Sequence, residues 1–113
     1  MNKLEISFDE FIEIEKKLEI RIGKIMNAEP IPKSNGLKLT VKFGDYEGDT
    51  KTAFTNLGKQ FEPEALIGHS CPFIMNLAPS LIKGVTSEVM IMVGEHENGV
   101  IDLSDYTYGA KLM

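Results

Sequence analysis

The sequence predicts an all-β fold, a five-stranded Greek-key barrel with one short helix ahead of the first strand and another between strands three and four. Short runs of apolar/polar alternation recur along the chain, clusters of Pro, Gly, Asn and Asp punctuate them, and only two brief stretches carry helix-start signals. At 113 residues, 42% of them hydrophobic, the chain has the apolar content for one domain with a single core and no room for a second.

The elements follow in order. Ser7 and Glu10 stand at capping-box spacing ahead of Phe8, Phe11 and Ile12, which predicts a helix over Ser7 to Lys16. Leu18, Ile20 and Ile22 then alternate with polar neighbours in a first strand running to Glu29, and Gly23 suggests a bulge that curves it. The stretch PIPKSNG is turn chemistry. Leu37, Leu39, Val41 and Phe43 point one way in the second strand, with Lys38, Thr40 and Lys42 on the other face. DYEGD reads as a turn, and a third strand covers Thr50 to Phe54.

Pro63 at a first helical position and Gly68 at a close predict the second helix. PFIMNL and SEVMIMV are apolar runs of strand length, and NGVIDL reads as a last short strand. Short strands with a helix between the third and fourth match the barrel known as the OB-fold, which usually serves as a binding scaffold.

Composition excludes several functions. Seventeen acidic residues against 12 basic ones give a net charge of -5, which argues against indiscriminate binding to nucleic acid or anionic membranes, so phosphate contacts must be local. One cysteine and two histidines, His69 and His96, are too few for a metal site, and no cofactor is called for. Asp45, Glu47 and Asp49 alternate like a calcium loop, but Gly48 is out of register and no closing glutamate follows; a hairpin turn is the better reading. GEHENG offers His96 no nucleophile, which argues against an enzyme. No stretch approaches the roughly 18 apolar residues of a membrane span, and the N-terminus lacks an unbroken export-type apolar run, so a cytoplasmic location is expected.

Lys38 and Lys42 are candidate phosphate contacts, with Arg21, Lys24, Lys33, Lys51, Lys59 and Lys83 in support; Phe54 and Phe61 are either base-stacking or core residues. The connection from Asn76 to Met90 is longer than a two-residue hairpin requires, which suggests a binding loop. Within it, Glu88 is placed to accept backbone N–H groups and pin the loop, while Ser87 and Met90 are placed to line a ligand.

LEIRIGKIMNAEPIP, FEPEALIGHSCPFIMNLAP and IKGVTSEVMIM, taken together, resemble the tRNA-binding domain family over Leu18 to Met113, and within it the small homodimeric CsaA-like secretion chaperones. The resemblance implies residues 1–17 as an N-terminal helical segment at a dimer contact and residues 18–113 as the OB-fold domain. It also implies a non-catalytic protein that binds tRNA, unfolded preproteins, or both. Ser87, Glu88 and Met90 carry over from the family's Ser-Glu-x-Met, and Thr55 and Asn56 from its polar segment after strand three. Where relatives place bases after the Asn-x-x-Pro element, this chain has Ser80, Leu81 and Ile82 before Lys83.

The implied RNA- or peptide-binding face comprises Arg21, Lys38, Lys42, Asn56, Leu81, Ile82, Lys83, Ser87 and Met90. For RNA, lysines would hold phosphates while Asn56 and Ser87 meet loop bases; for polypeptide, Leu81, Ile82 and Met90 would form an apolar floor. The alternative is a structural OB-fold dimer with a vestigial RNA-binding surface.

Overall fold

A computed structural model describes residues 3–44, 49–59, 61–93 and 100–112. The turn expected at DYEGD and the histidine turn GEHENG fall mostly or wholly outside these residues.

Helix α1, Phe8–Glu15, starts at Ser7, whose hydroxyl accepts the Glu10 N–H at 3.1 Å. The Ser7 half of the capping box thus acts as its spacing predicts, while the Glu10 carboxylate accepts from the Ser7 hydroxyl at 3.3 Å. No side chain of α1 is buried.

Strand β1, Ile20–Pro30, is long enough to serve two halves of the barrel. Its first half pairs antiparallel with β4, Ser70–Ile74, and its second with β2, Leu37–Lys42. The bulge is not at Gly23: the register shifts between Ile25 and Asn27, leaving Met26 as the extra residue. Gly23 serves close packing instead, since a Cβ there would come within 2.5 Å of the Phe43 ring. That ring stacks edge-on against Phe73 at 5.4 Å between centroids.

β2 keeps its expected alternation, with Leu37, Leu39 and Val41 buried and Lys38, Thr40 and Lys42 on the outer face. β3, Thr50–Thr55, pairs with β2 so that Phe54 stands opposite Lys38 and Thr50 opposite Lys42. A 3₁₀ turn at Leu57–Lys59 and helix α2, Pro63–Leu66, lead to β4; Gly68, at φ 93°, reverses the chain after the helix.

The connection after β4 is itself structured. β5, Ser80–Ile82, and β6, Val85–Ser87, form a separate two-stranded hairpin, closed by Lys83 and Gly84 with φ of 48° and 84°. The long loop expected between two core strands is therefore a protruding β-ribbon with a type I′ turn. β7, Met90–Ile91, then pairs with β4.

No strand forms at 101–103. The chain instead makes an isolated bridge between Val93 and Val100 and ends in β8, Lys111–Leu112, on β1. Backbone hydrogen bonds from Leu103 to Ser70 and from Gly109 to Ile22 already hold this segment to the barrel, so it lies across the wall without forming a ladder. His69 pairs with Asp102 at 3.3 Å at the start of the segment. Hydrogen bonds from Ser104 first, and then His69, hold the Asp102 carboxyl below its ordinary range.

The order β3-β2-β1-β4-β7 is that of a nearly closed OB-fold barrel. Ile25, Leu37, Leu39, Val41, Leu66, Phe73 and Val89 fill its centre. No helix among the described residues is long and apolar enough to cross a membrane.

Candidate nucleic-acid and polypeptide interface

The barrel is open by one seam, between β3 and the segment leading into β7. The Glu88 N–H donates to the Thr52 carbonyl at 2.8 Å, and the Glu88 carboxylate accepts the Thr52 N–H at 3.0 Å. One residue thus supplies both halves of an antiparallel pair, its side chain standing in for a backbone carbonyl. The Ser87 hydroxyl accepts the Phe54 N–H at 3.0 Å and donates to the Val89 carbonyl at 3.1 Å. The role expected of Glu88 is the observed one, and Ser87 shares it.

Beside this seam lies an open groove of about 500 Å³. The end of β3 contributes Phe54, Thr55 and Asn56; the β4–β5 connection Leu77 and Ala78; the hairpin Ser80, Ile82 and Ser87; and β7 with its flanks Val89, Met90, Ile91 and Val93. Phe54 sits between the β1–β2 turn at Gly36 and the hairpin at Ser87. Its ring covers Gly36, where a Cβ would fall 2.5 Å from the ring, and its N–H is held by Ser87.

The groove is apolar with a few polar points. The Thr55 hydroxyl accepts the Leu57 N–H at 3.3 Å. The Asn56 amide is exposed and makes no side-chain hydrogen bond among the described residues, so it offers both a donor and an acceptor.

Of the residues singled out in the sequence, Asn56, Ile82, Ser87 and Met90 line this groove. Leu81 and Lys83 ride on the same hairpin, Leu81 with 75% of its surface exposed and Lys83 at the tip. Lys38 stands across the strand from Phe54. Lys42 lies four residues further along β2, about 13 Å away, next to Lys24, whose ammonium sits 5.9 Å from the Tyr108 ring centroid.

Arg21 is elsewhere: its guanidinium donates to the Gly109 carbonyl at 2.8 Å and pairs with Glu19. Phe61 packs partly buried against the core, whereas Phe54 faces the groove. Leu77, Ala78 and Val93 escaped sequence reasoning. An apolar Leu77 in a Pro-bearing connection was the available signal.

Asn76, which opens the connection, has a scaffolding task. Its side chain accepts the Glu19 N–H at 2.9 Å and donates to the Lys17 carbonyl, tying the exit of β4 to the entry of β1.

Residues 20–110 match the family model of the tRNA binding domain. The chain belongs to the tRNA-binding domain family. Among proteins similar in sequence, the methionine–tRNA ligase of Cytophaga hutchinsonii is 40% identical over 98 residues, and that of Deinococcus radiodurans 37% identical over 99. These alignments cover 86% and 87% of this chain but only 13% and 14% of the ligases, so the chain spans about one seventh of the length of these curated relatives.

Two solved structures are similar over almost their whole length. A MetRS related protein from Pyrococcus horikoshii superposes with a TM-score of 0.79 at 29% identity, covering 98% of this chain and 100% of that one. The chaperone CsaA of Bacillus anthracis does so with a TM-score of 0.75 at 27% identity, covering 97% and 100%.

Proposed function

We propose that this tRNA-binding domain is a non-catalytic, cytoplasmic binding protein that holds tRNA in the groove between β3 and the β5–β6 hairpin and works as a homodimer. The observation that carries the reading is the placing of a half-buried ring, Phe54, and a free amide, Asn56, within one groove, with Lys38 and Lys83 beside it. An unstacked loop base would lie against Phe54 with its edge toward Asn56, while the two lysines meet the phosphates on either side. Lys42 and Lys24 would extend the cationic track along β2, and Arg21 would contribute to the fold only.

The test is fluorescence anisotropy of labelled bulk tRNA over a series of salt concentrations. With few cations on an acidic domain, binding should be weak, in the range of about 1–100 µM near physiological salt, and fall steeply as salt rises. Lys83→Ala should weaken binding across tRNA species and reduce the salt slope by about 0.7–0.9. A slope unchanged by Lys83→Ala would take Lys83 out of the RNA contact.

A second reading is favoured by the apolar lining and by the exposure of Leu81: an unfolded polypeptide, such as a preprotein on its way to export, as for a CsaA-like chaperone. Here Leu81, Ile82 and Met90 form the floor, with Met90 adaptable to varied side chains. Binding of a permanently unfolded polypeptide, tolerant of salt and reduced by Leu81→Ser but not by Lys83→Ala, would select this reading. Failure of both ligands would leave a structural dimer with a vestigial surface.

A further inference from the structure

We propose that Glu88 and Ser87 are positioning residues for RNA binding: by taking the N–H groups of Thr52 and Phe54 along the open edge of β3, they hold the hairpin so that Lys83 reaches the RNA. The proposal rests on the tRNA-binding reading above.

The hairpin is poorly equipped to hold its own place. It is a two-stranded ribbon apart from the barrel sheet, and of residues 80–87 only Val85 is buried. Isolated two-stranded ribbons are marginal in water, and a single buried side chain fixes position far better than orientation. Rotation about Val85 is opposed by the seam, where two side-chain acceptors and the Glu88 N–H engage alternate residues of β3. Lys83 lies four residues before Ser87, at the far end of the ribbon, so a small rotation at the seam is magnified at the ammonium.

The sign of the effect separates positioning from charge. Glu88 is an acid on a chain of net charge -5, so by electrostatics alone its removal should tighten RNA binding. Positioning requires the opposite for Glu88→Ala. Glu88→Gln removes the charge but keeps a carbonyl oxygen for the Thr52 N–H, and should bind as well as the unsubstituted protein or slightly better.

The experiment is tRNA anisotropy across a salt series for the full chain and for Glu88→Ala, Glu88→Gln, Lys83→Ala and the Glu88→Ala/Lys83→Ala pair, with a thermal melt of each. Expected are an affinity loss of about five- to tenfold for Glu88→Ala, a salt slope reduced as in Lys83→Ala, and little further loss in the double variant. A merely structural seam would lower the melting temperature and leave the salt slope alone. Affinity and slope unchanged in Glu88→Ala, or losses that multiply in the double variant, would overturn the proposal. Should Glu88→Ala fail to fold, Ser87→Ala, which deletes the Phe54 N–H acceptor and the donor to the Val89 carbonyl but no charge, carries the same comparison at about threefold. No tRNA binding by the unsubstituted protein removes the RNA reading and this proposal together; binding that ignores the seam removes this proposal alone.

Discussion

At the scale of single residues, Cys71 shows how burial governs chemistry. Its side chain is fully enclosed within β4, and burial first, with the Asp102 charge second, pushes its thiol up to about 12. An unfolded thiol titrates at 9.0, so below that pH both states carry the proton and the fold keeps its full advantage. As pH rises from 9 toward 12 the unfolded chain ionises first, and stability declines. At pH 8.5 the native protein should react with iodoacetamide about a thousandfold more slowly than the denatured chain. Comparable rates would show that the site opens readily.

At the scale of elements, the hairpin turn joins structure to function. Lys83 has a φ of 48°, a conformation that costs a side-chain-bearing residue about 1 kcal/mol, which Gly84 beside it avoids. Lys83→Gly should leave the unfolding free energy unchanged or raise it by up to about 1 kcal/mol in urea titration. The same variant should weaken tRNA binding as much as Lys83→Ala. A clear loss of stability would mean that the lysine holds the turn rather than serving a ligand.

For the whole molecule, the apolar surface that the barrel leaves uncovered matters most. Helix α1 has no fully buried side chain; Phe8 is 73% exposed and Phe11 and Ile14 are about half exposed. An eight-residue helix is marginal without packing. Phe11, Ile14, Leu18 and Ile20 meet Leu112 around a hollow of about 200 Å³, so both ends of the chain share one apolar surface. The proposed homodimer would cover it and present two grooves to one RNA, strengthening a weak site by avidity. Sedimentation velocity at several concentrations should give a dimer at micromolar protein, and Phe11→Asp should shift it to monomer. A monomer without substitution would count against the assembly.

The sequence by itself determined the elements whose causes are local. Alternation in β2, the Ser7 cap, the Pro63 helix start and the family motifs were all legible, because each depends on residues within a few positions of one another. Only the tertiary structure decided what depends on distant partners. The bulge falls at Met26, while Gly23 leaves room for the Phe43 ring, a residue distant in the chain. Arg21 was drawn to the C-terminal segment, away from the groove. Phe54 turned outward while Phe61 packed against the core, a choice that two aromatic residues in similar local settings do not announce. Glu88 was legible as a backbone acceptor, but that it and Ser87 would meet Thr52 and Phe54, more than thirty residues away in the chain, and so shape the groove, was decided by the fold.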